Sequence, residues 1–154
     1  MIGHAFTVKY NGQSRKLISE AHISYNNEDM YTPNALWDTG ATISCISKAV
    51  VDRLGLVPIS KTMMRGASGD KIANVYLVDI LLRNNVVVKD IQVMEAEIGG
   101  QGIDLLIGMD IILLGDFAVN NKDGNTKFTF QIPTAYDIDF VKQIKKLDEE
   151  ETND

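Results

Sequence analysis

The sequence is poor in cysteine, histidine and positive charge, and each shortage excludes a class of protein. The single cysteine, Cys45, cannot form a disulfide within the chain, which is typical of proteins from a reducing compartment. The two histidines, His4 and His22, are too few and too far apart in sequence to indicate a zinc site. The net charge of -6 provides no electropositive field for a phosphate backbone or an anionic lipid surface. We therefore expect no metal, and neither nucleic acid nor a membrane as a partner.

Long apolar runs are also absent. No stretch approaches the roughly 20 apolar residues of a transmembrane helix, and the N-terminus lacks the basic segment and apolar run of a secretory signal. We therefore expect a cytoplasmic location, unless a signal has been removed. The segment Gly99-Gly100-Gln101-Gly102 lacks the Lys-Ser/Thr pair of a phosphate-binding loop, so no nucleotide cofactor is expected either.

The sequence does contain many short runs rich in Val, Ile, Thr and Tyr, separated by Gly, Asn and Pro. This pattern favours strands joined by tight turns, and it predicts one mainly β domain over residues 1–136. A strand over residues 32–37 leads into Asp38. Three hairpins are predicted: strands 5–10 and 15–24 around Asn11-Gly12, strands 75–82 and 86–94 around residues 83–85, and strands 117–119 and 126–132 around residues 120–124.

Two short helices are predicted as well. In the first, over residues 47–55, Ser47 can accept hydrogen bonds from free N–H groups at the start, and Gly55 can adopt the left-handed conformation that ends a helix. Its core-facing residues are Val50, Val51 and Leu54. The second helix, over residues 109–114, is bounded by Gly108 and Gly115.

The last residues, 137–154, are predicted to form an acidic and partly helical tail outside the domain. Four apolar residues in this segment have helical spacing, whereas residues 149–154 are expected to fray. The apolar residues are Phe140, Val141, Ile144 and Leu147.

The strongest chemical signal is the segment Asp38-Thr39-Gly40-Ala41-Thr42, which directly follows an apolar strand. An acidic side chain there lies at the edge of the core, on a turn of small residues. Thr39 is expected to bond to neighbouring backbone, and Gly40 permits close approach of another chain or a substrate. Two interpretations remain open from these residues alone: a positioned reactive carboxylate, or an Asp that only stabilises its turn through an Asx hydrogen bond.

Three segments together resemble the retroviral-type aspartic proteases, that is, the retropepsins and their cellular relatives. Residues Ala35-Leu36-Trp37-Asp38-Thr39-Gly40-Ala41 resemble the family's active-site turn, which carries the catalytic Asp. Leu105-Leu106-Ile107-Gly108-Met109-Asp110 is similar to the apolar segment that runs behind that turn into a short helix. Met63-Met64-Arg65-Gly66-Ala67-Ser68-Gly69-Asp70 resembles the glycine-rich flap hairpin that covers the substrate. The three occur in the family's order, which makes the resemblance much more specific than one motif alone.

The resemblance implies a closed or partly open β-barrel with a glycine-rich flap hairpin and one or two short helices, acting as a two-fold homodimer. It implies an aspartic endopeptidase without a cofactor, whose substrate is a polypeptide in an extended conformation. Because the chain contains one such turn, Asp38 of each copy would supply half of the catalytic pair. The implied substrate contacts in the flap are Met64, Arg65, Gly66, Ala67, Ser68 and Gly69, and the implied structural support comes from Ile107, Gly108 and Asp110.

Some features depart from the viral pattern. Thr42 occupies the position at which viral members typically have a second Asp that binds substrate backbone, and the chain continues well beyond the glycine-containing helix. An alternative function is therefore a peptide-binding or scaffolding module that retains the fold without catalysis. We expect Asp110, at the start of an apolar helix, to be an N-terminal cap and not a second catalytic Asp.

Overall fold

The computed structural model describes residues 3–152, and within them the chain is mainly β. The helices are α1 Lys48–Leu54, α2 Met109–Ile112 and α3 Phe140–Glu151, with 3-10 turns at Gly99–Gln101 and Lys122–Gly124. The strands are β1 His4–Lys9, β2 Ile18–Tyr25, β3 Glu28–Trp37, β4 Cys45–Ile46, β5 Ser60–Gly66, β6 Gly69–Leu82, β7 Val87–Glu95, β8 Leu105–Ile107, β9 Asp116–Asn120 and β10 Lys127–Ile132.

Six strands close into a barrel in the order β2-β3-β8-β4-β7-β6, because β6 also pairs with β2. The β3–β8 and β4–β7 pairs are parallel and the other four are antiparallel. Alternate residues of the strands point inward, so that Ile23, Ile80 and Leu105 are fully buried in the core. The mainly β barrel implied by the sequence is therefore confirmed. The remaining strand of this sheet, β5, pairs with β6 alone among the strands of residues 3–152.

The other three strands form a separate sheet in the order β1-β10-β9. Its inner face packs an aromatic cluster against the end of β3. The indole ring of Trp37 stacks on Phe117 with centroids 5.6 Å apart and lies 4.8 Å from the ring of Phe130. Phe6 and Phe128 complete the cluster. This packing fixes the strand that leads into Asp38.

The predicted hairpin around Asn11-Gly12 is wrong. Strand β1 pairs with β10, more than a hundred residues away, and β2 pairs with β3 and β6. Gly12 does adopt a positive φ of 93°. Its N–H donates to Asn125 Oδ1 at 2.9 Å and its carbonyl accepts from the N–H of Thr126, so this turn connects two sheets and does not join two paired strands.

The turn that joins β2 to β3 is Asn26-Asn27, which the sequence analysis missed. Both residues have positive φ, 47° and 64°, and Tyr25 faces Glu28 across the turn. Asn tolerates this conformation better than most residues, and two successive positive φ angles are what a two-residue hairpin requires. Strand β3 consequently begins at Glu28, four residues before the predicted strand 32–37. The predicted hairpins that pair β6 with β7 and β9 with β10 are confirmed.

The helices follow their local signals. Ser47 Oγ accepts from the N–H of Val50 at the start of α1, and Gly55 ends that helix with a φ of 61°. Asp139 begins α3, where Oδ1 accepts from the N–H groups of Val141 and Lys142. Helix α3 continues to Glu151, two residues beyond the start of the segment expected to fray, and residues 153 and 154 lie outside the described range.

No helix within residues 3–152 is both long enough and apolar enough to cross a membrane.

Candidate active site

Asp38 follows directly after β3, and three hydrogen bonds of its turn determine where its carboxylate lies. The N–H of Asp38 donates to the carbonyl of Ile107 at 2.9 Å, which continues the parallel β3–β8 pairing by one residue. The N–H of Gly40 donates to Asp38 Oδ1 at 2.8 Å, and the N–H of Ala41 donates to the Asp38 carbonyl at 3.2 Å. The Asx hydrogen bond considered from the sequence is therefore present. It engages one carboxylate oxygen and leaves Oδ2 without an intrachain hydrogen bond among residues 3–152.

Gly108 supports the turn from behind at very short range. A Cβ atom built at Gly108 would lie 2.8 Å from the carbonyl oxygen of Ala41 and 3.0 Å from the carbonyl carbon of Ile43. The same Ala41 carbonyl accepts from the N–H of Met109 at 2.8 Å, where α2 begins. The glycine is thus required by the contact between two backbone segments, and the contact ties α2 to the turn.

Asp110 binds the segment after the turn through Ser44. Its Oδ2 accepts from the N–H of Ser44 at 2.9 Å, and its Oδ1 accepts from the Ser44 hydroxyl at 2.7 Å. The Ser44 oxygen in turn accepts from the N–H of Gly108 at 3.0 Å. The N-cap of α2 is Gly108, so the expectation that Asp110 caps the helix needs correction. Asp110 lies in the first turn, where a negative charge is favourable, and its carboxylate holds the loop in place.

Ser44 is the member of this network that sequence analysis missed. Its side chain is fully buried and connects Asp110 with Gly108. A serine between Ile43 and Cys45 carries no motif of its own. The only available signal is its short distance in sequence from Asp38.

The tip of the turn faces outward. Thr39 and Gly40 are exposed, and Thr39 makes no hydrogen bond within the described part of the chain, contrary to expectation. At the end of α2, whose first residue is bonded to the turn, Leu113 and Leu114 are exposed by 69% and 45%. A groove of about 340 Å³ contains Asp38, and two cationic side chains, Arg15 and Lys16, contribute to its wall.

The glycine-rich segment forms the predicted hairpin. Strands β5 and β6 pair from Ser60↔Val75 to Gly66↔Gly69, with Ala67 and Ser68 as the two-residue turn. Gly69 has a φ of 108°, which L-residues rarely adopt. Arg65 and Asp70 face each other in the register.

A groove of about 1010 Å³ lies beneath this hairpin, between it, the start of α1 and the turn at Gly99–Gln101. The six predicted flap residues contribute differently to it. Met64, Gly66, Ser68 and Gly69 line the groove, whereas Arg65 and Ala67 do not. Asp38 is not among the lining residues, so within one copy the groove under the hairpin and the groove at Asp38 are separate.

Cys45 follows the network in β4 and is buried. Burial raises the pKa of its thiol to about 11, and the negative charges of Asp110 and Asp38 act in the same direction. A thiol in this state is a poor nucleophile. Within residues 3–152, no group of three or more His, Cys, Asp or Glu side chains is placed to hold a metal ion.

Comparison with known proteins identifies the family and the fold. The sequence model of the aspartyl protease family matches residues 21–111, more than half of the chain, and the match includes Asp38, the hairpin and Gly108. The fold is similar to that of a retropepsin-like aspartic protease from Rickettsia conorii, with a TM-score of 0.54 and 14% identity over 86% of this chain and 97% of that one. The EIAV protease in complex with the inhibitor HBY-793 is also similar, with a TM-score of 0.49 and 24% identity over 68% and 91% of the two chains. No curated protein sequence matches this chain.

Proposed function

The chain belongs to the aspartyl protease family and is an aspartic-type peptidase, and we propose that it cleaves internal peptide bonds with a water molecule activated between the Asp38 carboxylates of two copies. The observation that carries this proposal is the exposed turn with a single positioned carboxylate. Oδ1 of Asp38 accepts from the N–H of Gly40, while Oδ2 has no hydrogen-bond partner within residues 3–152.

Two carboxyl groups are needed because one group cannot act as base and acid in the same step. The ionised carboxylate takes a proton from the water as the water attacks the scissile carbonyl, and the protonated partner donates its proton to that carbonyl oxygen. At a separation of about 3 Å and an effective dielectric constant of 20, two negative charges would repel by roughly 5 kcal/mol. One proton therefore remains on the pair, and it belongs to both groups jointly.

The surface around the turn supports a two-fold homodimer. Thr39, on the exposed tip, makes no hydrogen bond within residues 3–152, and Ile43 after the turn and Leu113 and Leu114 after α2 are exposed apolar side chains. An isologous interface centred on this surface would bury these side chains and place each Asp38 next to its symmetry mate.

The hairpin supports recognition of an extended peptide. Its groove combines the apolar side chains of Met64, Ile72 and Ala96 with the exposed backbone of Gly66 and Gly69. A peptide in an extended conformation can pair with such backbone as an added strand, while its side chains enter the groove alternately. We therefore assign the hairpin the role of a cover over the substrate.

The first test compares Asp38→Asn with the wild type on a mixed peptide library between about pH 4 and pH 7, where a carboxyl pair that shares a proton is expected to work. We expect cleavage to be lost, with unchanged folding because Asn can accept the same Gly40 hydrogen bond. Asp90→Asn is the matched control, since Asp90 is exposed and has a φ of 51° that Asn tolerates. Equal cleavage by the wild type and Asp38→Asn would reject the assignment.

A mixing experiment tests the shared site separately. When an equal amount of inactive Asp38→Asn is added to a fixed amount of wild type and subunits exchange, activity should fall by about half because mixed dimers have one Asp38 only. Unchanged activity would mean that each chain works alone.

A further inference from the structure

A cleft of about 540 Å³ lies at one end of the three-stranded sheet, where β1 ends, β9 ends and β10 begins. It shares no lining residue with the groove at Asp38 or with the groove beneath the hairpin. The established peptidase chemistry therefore gives it no role. Its lining residues are Lys9, Tyr10, Asn11, Asn120, Lys122, Asn125, Thr126 and Lys127.

Two of its lysines face each other in the sheet register. Lys9 of β1 is directly opposite Lys127 of β10, and Lys127 is directly opposite Asn120 of β9. These three residues form one row on the outer face, because the alternate residues Phe128 and Phe130 point into the aromatic cluster. Like charges on directly opposed residues repel each other and destabilise a sheet. Repulsion within this row therefore lowers the stability of the sheet in the isolated chain.

Within the described part of the chain, no carboxylate forms an ion pair with these lysines. None of the lining residues is Asp or Glu, and none of the ion pairs found within residues 3–152 involves Lys9, Lys122 or Lys127. This is unexpected in a chain with a net charge of -6. Acidic residues are abundant elsewhere, so the charge of the cleft is opposite in sign to the net charge of the molecule.

The walls of the cleft are fixed by hydrogen bonds. Asn125 Oδ1 accepts from the N–H of Gly12 at 2.9 Å, and Thr126 Oγ1 accepts from the N–H of Ser14 at 2.9 Å and donates to Asn121 Oδ1 at 2.7 Å. Thr126 is buried. These bonds join the two chain segments that flank the lysine row, so the backbone next to the lysines is held in place before a ligand binds.

We propose that this cleft binds a small anion with several negative charges, of the phosphate or carboxylate class. A bound anion would lie between the ammonium groups of Lys9, Lys122 and Lys127 and remove their mutual repulsion. The side-chain amides of Asn11 and Asn120 have no hydrogen-bond partner among the described residues and can donate to it as well. The volume is within the range of small-molecule sites and exceeds what one inorganic phosphate needs, which favours an anion of the size of pyrophosphate or a tricarboxylate.

Titration calorimetry and thermal unfolding of the whole chain test the proposal, with pyrophosphate and citrate as separate probes at constant ionic strength. We expect at least one probe to bind and to raise Tm, and the probe that binds identifies phosphate or carboxylate as the preferred class. Lys127→Gln should weaken that binding by about tenfold, since a charge-assisted hydrogen bond is lost. Without any anion the same variant should raise Tm by about 2 °C, because the opposed positive charges are relieved.

Lys145→Gln on α3 is the matched control, because it removes a lysine outside the cleft. It should leave both affinity and the anion-dependent rise in Tm unchanged. The proposal is overturned when neither probe stabilises the protein more than sodium chloride of equal ionic strength. It is equally overturned when the double variant Lys9→Gln, Lys127→Gln binds as well as the wild type.

Discussion

The Asp38 turn and the glycine-rich hairpin are both short connections between strands, yet they are held in very different ways. The turn is fixed by backbone bonds to Ile107 and Met109, by the close approach of Gly108, and by the buried network of Ser44 and Asp110. The hairpin is held by its own β5–β6 ladder. Over the paired residues Ser60 to Val75, its one polar side-chain contact with a segment outside the hairpin, among the described residues, is the ion pair of Lys71 with Glu97 at 3.2 Å.

The difference fits the two proposed roles. A catalytic carboxylate must be positioned before the substrate arrives, because small displacements of reacting groups reduce the rate strongly. A cover must open to admit a polypeptide and then close, so it belongs to the part of the structure with few buried contacts. The exposed position of Ile72 in the hairpin, at 74%, contrasts with the complete burial of Ile107 behind the turn.

The largest expected effect comes from Gly108→Ala. The new methyl group would lie 2.8 Å from the carbonyl oxygen of Ala41, in backbone that has no room to move. We expect a loss of about 3 kcal/mol in the free energy of unfolding, measured by urea denaturation. Gly100→Ala is the control, since no atom lies within 4 Å of a Cβ there. A similar loss in both variants would remove the evidence that the turn is tightly held.

Thiol reactivity provides the second contrast. The pKa of Cys45, raised from 9.0 to about 11 mainly by burial, makes its thiolate about 100-fold scarcer than that of an ordinary thiol at pH 8. Ser68→Cys, introduced at the exposed hairpin tip in a Cys45→Ala background, should therefore react with a disulfide reagent at least about 100-fold faster than Cys45 of the wild type. Comparable rates would show that the segment after Asp38 opens as readily as the hairpin.

The same pKa sets a pH dependence of stability. Because the folded state raises the pKa of Cys45, the stability that the neutral thiol contributes is complete below pH 9.0 and is lost as the pH rises through about 11. The free energy of unfolding of the wild type should therefore fall more steeply over this interval than that of Cys45→Ala. Parallel curves for the two proteins would contradict the burial of the thiol.

A smaller effect is expected for Asp110→Asn. The carboxylate of Asp110 accepts from the N–H of Ser44 with one oxygen and from its hydroxyl with the other. The side chain of Asn has a single acceptor oxygen, so one buried donor loses its partner. We expect a loss of about 2 kcal/mol in the free energy of unfolding. A double-mutant cycle with Ser44→Ala measures the coupling directly, and additive losses would mean that the two residues act independently. Asp70→Asn in the hairpin should change stability by less than about 0.5 kcal/mol.

The smallest effect on stability is expected for Lys71→Gln. Exposed ion pairs contribute about 0–1 kcal/mol, and salt screens them. The variant should unfold almost like the wild type but show an altered KM at low salt, a difference that disappears at about 1 M salt. A change in global stability larger than that of Asp110→Asn would show that the hairpin is an integral part of the fold.

Local signals account for most of what was predicted correctly. The caps of α1 at Ser47 and Gly55, the hairpin at Gly66–Gly69 and the helix after Gly108 each depend on residues a few positions apart. The hairpin predicted at Asn11-Gly12 was wrong because a turn does form there, but the strands on its two sides pair with other strands and not with each other. Pairing of β1 with β10 depends on the burial of Phe6 against Phe128 and Phe130, which no short window reveals.

The amino-acid sequence by itself determined the mainly β character, the Asp-Thr-Gly turn at Asp38 and the presence of only one such turn, because strand periodicity, turn residues and motifs are local properties. The tertiary structure decided the closure of the barrel by pairing of β2 with β6, the hydrogen-bond network of Ser44 and Asp110, and the placement of Lys9 opposite Lys127. These features join residues that are distant in sequence. Their pairing depends on which buried surfaces fit together, and that is known only once the whole core has formed.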